Sequence, residues 1–179
     1  MKRPGEGLRT TKHAPLAGSY RPASHRTENT IMHNPLRRAA VLAVAWIAGQ
    51  AGHHIGDYLV QRDCDAQKKQ QHTGEGRRAL ANHAVSYGIT EAVVRALAYR
   101  VAGLRVPARA QLAAAVVETV THAVIDDGRL LRKFADTTGK GGFHDLNQSG
   151  VNGRMLLDQA AHVGLQVPAG AAITAALGR

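Results

Sequence analysis

Three histidine–aspartate pairs four residues apart are the side chains in this chain best suited to chemistry. They are His53/Asp57, His122/Asp126 and, in reversed order, Asp158/His162. On a helix, residues at this spacing project from one face. Imidazole nitrogen and carboxylate oxygen presented together can hold zinc, manganese or iron. They can equally form a metal-free polar core, in which each carboxylate accepts a hydrogen bond and orients its imidazole. A lone helical histidine, His83, joins the three pairs. The candidate ligands are therefore His53, Asp57, His83, His122, Asp126, Asp158 and His162, more than one zinc takes. Either some of them orient the ligating imidazoles or two ions bind. His54 adjoins the first pair, while His13, His25, His33 and His72 fall in tail or loop and receive no role.

Other chemistries are less well served. A single cysteine, Cys64, excludes an internal disulfide framework and a cysteine-based zinc ribbon. Thr138-Gly139-Lys140-Gly141-Gly142 resembles a phosphate loop only superficially, because it lacks the G-x-x-x-x-G-K-[ST] spacing and a preceding strand. Lys140 and His144 could nevertheless reach an anionic substrate over the site.

Four helices must position these residues. Helix one is predicted from Pro35 to about Gln61, with proline in its first turn and an uncharged run from Ala39 to Ala48. Residues 62–78 read as a polar loop. Helix two spans roughly Arg78 to Leu104, and Glu91 and Arg95 are spaced to pair along it. Those charges, with Arg100, count against a lipid-immersed helix. Helix three covers Ala108 to Asp127, and Gly128 follows as a stop. A long loop, Arg129 to Asn152, leads to helix four, which begins near Gly153 and is kinked or divided by Pro168. No segment alternates with the period of a strand. The predicted fold is all-α, a four-helix up-down bundle over residues 35–179. With short connections, neighbouring helices run antiparallel, and all four polar clusters then fall at one end.

The net charge of +10 is uneven. Residues 1–38 carry eight Lys/Arg against Glu6 and Glu28, so residues 1–34 read as a disordered basic tail. Such a tail suits nucleic acid or anionic lipid. Met32, followed by Arg37, Arg38 and an apolar run, resembles a natural start.

Taken in order, the motifs His53-His54-Ile55-Gly56-Asp57-Tyr58-Leu59-Val60-Gln61, His83, His122-Ala123-Val124-Ile125-Asp126 and Asp158-Gln159-Ala160-Ala161-His162 resemble a family of short bacterial and phage membrane proteins known only as a domain of unknown function. Gly139 to Phe143 matches a loop of its actinobacterial members. The resemblance covers most of residues 36–177 and implies a multi-helix membrane protein without supplying an activity. It implies His53 rather than His54, and Asp126 rather than Asp127, as the inward residues.

Three functional classes remain. The first is a membrane-associated helical protein whose divalent metal supports hydrolysis. The second is a non-catalytic accessory membrane protein of a mobile element, its polar cluster structural. The third is a basic, nucleic-acid-associated helical protein. The expected location is the cell membrane, with the cytoplasm as the alternative.

Overall fold

A computed structural model of the chain describes residues 35–178. The expected basic tail and the start at Met32 lie outside the described residues. The rest is mostly helical, in agreement with the all-α expectation.

The first long helix, α1 (Pro35–Ile55), is followed directly by a π-helical turn, Gly56–Val60. A glycine is required at 56, because a Cβ there would lie 2.9 Å from Cδ2 of Tyr87. The polar stretch after it is not all loop. It contains α2 (Asp63–Lys68) and the start of α3 (Gly74–Val101), whose first turn is capped by Thr73 Oγ1 accepting from the Gly76 amide at 3.1 Å. Capping by Thr73 moves the helix start four residues ahead of the sequence expectation. Pro107 precedes α4 (Ala108–Asp126).

The expected loop from Arg129 to Asn152 is also structured. Gly128, at φ 80°, turns the chain into α5 (Arg129–Thr137), followed by α6 (Gly141–His144). A small hairpin then pairs β1 (Asn147–Gln148) with β2 (Val151–Asn152), turning through Ser149 and Gly150, both at positive φ. Two-residue strands are too short to show alternation, so the sequence period could not reveal them. The last helical stretch is divided into α7 (Gly153–Ala161), a π-helical turn (His162–Gln166) and α8 (Val167–Leu177).

The division has a local cause. The Val167 amide bonds back five residues to His162, and Pro168 has no N–H to offer the Val163 carbonyl. Gln50 on α1 supplies the missing donor, its Nε2 lying 3.2 Å from that oxygen.

α1 packs against α3 and α8, and α4 packs against the same two helices. Arg37, at the start of α1, donates to the carbonyls of Gly178 and Arg105, each at 2.6 Å. That end is filled by an apolar cluster of Val41, Ala45, Tyr99, Val106, Ala110, Ala171 and Ala175. Toward the other end the interior becomes polar.

Candidate metal centre

The last turns of α1 and α4, the early turns of α3, and the α7–π-turn junction all open onto one buried polar space. His53, His83, His122, His162 and Asp126 are buried there. Asp57 and Asp158 sit at its edge, with side chains 5% and 14% exposed. All seven sequence-derived candidates are thus brought together. His54 is exposed and stacks on Tyr58 instead, and Asp127 turns outward to Arg129. The Arg129 guanidinium holds the Asp127 carboxyl below the usual carboxylate range.

Asp126 is the hub. Its Oδ2 lies 3.0 Å from Nε2 of His83 and 3.1 Å from Nε2 of His122, and its Oδ1 lies 3.4 Å from Nε2 of His162. Asp57 Oδ1 is 3.4 Å from both His83 and His122 Nε2. The two imidazole nitrogens approach each other to 2.9 Å. His53 Nε2 is 2.9 Å from Gln159 Oε1 and 3.6 Å from Asp57 Oδ2, while His162 Nε2 is 3.6 Å from Asp158 Oδ2.

This convergence is chemically lopsided. Among the described residues, Oδ1 of Asp57, Asp126 and Asp158 and Nε2 of His162 are buried and accept no hydrogen bond. A buried acceptor without a donor costs about 1–3 kcal/mol, more if charged. Lys69 of the α2–α3 connection supplies one cation, its Nζ 2.9 Å from Asp126 Oδ2. Three carboxylates and one ammonium leave two formal negative charges in excess, which a divalent cation would neutralise. Three sets of side chains bring ligand atoms within 4.8 Å of one another: His53, His122 and His162; Asp57, His83 and His122; Asp126, Asp158 and His162. The last two sets share no residue.

Several partners were not legible beforehand. Gln166 takes His162 Nδ1 at 2.5 Å through its Oε1, and its Nε2 donates to Tyr87 Oη at 2.8 Å. Tyr87 stacks on His122 with ring centroids 3.6 Å apart. The step from His162 to Gln166 repeats the four-residue spacing and was the available signal. Lys69 carried none, being one lysine among several in a polar stretch.

A second buried cluster lies farther from this end. Glu91 and Arg95 on α3 face inward rather than outward, with Glu118 of α4 against the Arg95 guanidinium. The Gly170 backbone of α8 closes over Glu118, and a Cβ there would overlap its carboxylate. The pairing of Glu91 with Arg95 is observed, at 3.6 Å. These two charges lie inside and so bear on neither a wet nor a lipid-facing exterior, while Arg100, the third charge of that expectation, is exposed.

Residues 41–175 match the family described as Protein of unknown function (DUF3307), and the chain belongs to it. All seven candidate ligands fall within the matched segment. No curated protein and no solved structure matches the chain.

Proposed function

We propose that this member of the DUF3307 family is a membrane-embedded helical protein with a divalent metal centre supporting hydrolysis at one end of an up-down bundle. The observation that carries the metal reading is the set of unpartnered ligand atoms. Seven His and Asp side chains converge, yet among the described residues Oδ1 of each of these aspartates and Nε2 of His162 have no hydrogen-bond partner. Two disjoint three-residue sets give the centre capacity for two ions, as in hydrolytic two-metal sites. Nitrogen and oxygen ligands suit zinc, manganese or iron.

A divalent ion held there would acidify water toward a pKa of ~7 and polarise the bond to be broken. The chain's own residues would do the rest. Asp126 holds the histidines in register, and Gln159 and Gln166 fix the ring orientations of His53 and His162. With one ion on the Asp57, His83 and His122 set, Asp158 at the rim of the buried space is the spare carboxylate placed to take a proton from water.

The membrane reading is supported by the outer surface. The exposed side chains between positions 85 and 97 of α3 are Val85, Ile89, Val93, Ala96 and Leu97. Between positions 112 and 124 of α4 they are Leu112, Val116, Val117, Val120 and Val124. One helical stretch, Gly153–Leu177, is long and apolar enough to cross a bilayer.

Metal analysis of the purified protein beside Asp57→Asn and His122→Ala tests the centre. Bound divalent metal is expected in the wild type, falling at least tenfold in both variants. A metal-free wild type whose stability neither variant changes would overturn the reading. A metal-free wild type destabilised by both would instead establish a structural polar core.

A further inference from the structure

Over the rim of the centre lies an open cavity of about 410 Å³. Its floor includes Asp57 and Asp158, and its walls include Lys69, Arg154, Tyr58 and Met155. Asp57 is nine-tenths buried, and its Oδ1 has no hydrogen-bond partner. We propose that this cavity is the substrate site and that its substrate is a phosphate ester. Its phosphoryl group would sit over Asp57 and Asp158, and its organic group would lie along Tyr58 and Met155. This rests on the metal reading of the centre.

The charges argue for an anion. Bare carboxylates on the floor would repel one, whereas a divalent ion held by Asp57 would offset their charge. The cationic walls are then the natural complement. Lys69 uses one of its three donor positions on Asp126 and a second on the Gln61 amide oxygen, leaving one to turn toward the cavity. Arg154 is exposed on the first turn of α7, so its forked guanidinium and the positive end of a nine-residue helix act together. Gln70 and Asn152 add amide groups to the wall, while the Gln61 amide is taken up by the Asp57 carbonyl and Lys69. That is more donor capacity than a planar two-oxygen carboxylate uses, and it suits the three free oxygens of a phosphate monoester.

The remaining wall argues for an apolar portion on the alcohol. Tyr58 and Met155 are 52% and 47% exposed beside the cavity, and Leu156 is 49% exposed next to Met155. On the same end, α5 exposes Leu130 and Phe134 next to Arg129, Arg132 and Lys133. Arg129 and Arg132 pair with Asp127, Asp136 and Asp145, so the exposed apolar side chains and Lys133 are what this helix offers to a bilayer interface. A phosphate ester can therefore come from a lipid headgroup or from a water-soluble ester, and the two are separable by experiment.

Hydrolysis at this position balances simply. A water oxygen bonds to phosphorus while the bond from phosphorus to the ester oxygen breaks. One water proton passes by way of Asp158 to the departing alkoxide, and the other remains on the released phosphate.

The test is binding, read by phosphorus NMR on the full chain in detergent micelles loaded with Mn²⁺. The probes are inorganic phosphate, glycerol phosphate and dioctanoyl phosphatidate. Phosphorus relaxation is expected to exceed that of the same Mn²⁺ concentration in micelles alone. Arg154→Gln is expected to keep its metal and weaken phosphate binding about tenfold, the loss of a charge-assisted contact. Tighter binding of phosphatidate than glycerol phosphate would assign the lipid headgroup, and equal binding the soluble ester. Protein that holds Mn²⁺ without relaxing any probe overturns this inference and leaves the metal reading standing. Unchanged binding in Arg154→Gln overturns the placement in this cavity, and a wild type without metal overturns both readings.

Discussion

Arg95 shows at the scale of one residue how this interior is built. Its guanidinium lies between Glu91 and Glu118, and all three side chains are buried. Among the described residues, both carboxylate oxygens of each glutamate also lack a hydrogen-bond partner. Removing the cation would leave two carboxylates facing each other in a medium that screens poorly. Breaking a buried pair from one side typically costs about 3–5 kcal/mol, because the partner charge is stranded. Arg95→Met should therefore lower the thermal unfolding midpoint in detergent sharply. Adding Glu118→Gln should recover part of the loss by removing one stranded charge. An Arg95→Met protein as stable as the wild type would show that the cluster is not held by this ion pair. The His/Asp cluster has the same character at larger size, since three carboxylates there face the single ammonium of Lys69.

The helices come together closely because glycines face their neighbours at the polar levels. Gly170 on α8 meets Glu118 of α4, and Gly88 on α3 meets Thr119 of α4. A methyl group at 170 would coincide with the Glu118 carboxylate, which is pinned by Arg95 and cannot swing aside freely. Gly170→Ala should cost about 1–3 kcal/mol through overpacking, despite its better helix propensity. Chemical denaturation in a mild detergent would measure it, and a stabilised Gly170→Ala variant would show that Glu118 moves without penalty. Sequence periodicity reached part of this arrangement. Four-residue steps of His and Asp are visible on any helix, and Pro107 and Gly128 mark ends that the structure reproduces. Pro168 announced the division of helix four, but not its π-helical form, which depends on a tertiary partner, the Gln50 amide under Val163. The inward direction of Glu91 and Arg95 was equally hidden, since an i,i+4 ion pair reads the same on a wet face as on a buried one. Lys69 joins the centre only because α2 and Thr73 fold a stretch whose composition signals loop.

Across the described residues, the levels between the His/Asp cluster and the apolar end are polar inside and apolar outside. Histidines, aspartates, glutamates and an arginine fill the middle, while valine, leucine and isoleucine cover the outside of α3 and α4. From Val85 to Leu97 and from Leu112 to Val124, these faces extend about 18 Å at 1.5 Å per residue. A hydrocarbon core is ~30 Å thick, so the match needs local thinning or the reach of Arg100 and Arg109 to the boundary. Such a surface is stable in lipid and costly in water, where large apolar patches promote association. The protein is expected to sediment with membranes, resist carbonate extraction and dissolve only with detergent. Val93→Glu combined with Val116→Glu places two charges near the middle of that face, each opposing insertion by roughly 2.5–3.5 kcal/mol on translocon scales. The membrane-inserted fraction of this variant should fall several-fold, whereas the same change at exposed Asp136 and Asp145, already acidic, would be silent as Asp→Glu. Recovery of the wild type as a soluble assembly without detergent would overturn the membrane reading and leave another protein surface as the cover for this face. On the proposed membrane reading the His/Asp cluster also has a place. At the middle of the bilayer it would be sealed from ions and water, but at the end bearing α2, α5 and the hairpin it would be reached from the aqueous boundary.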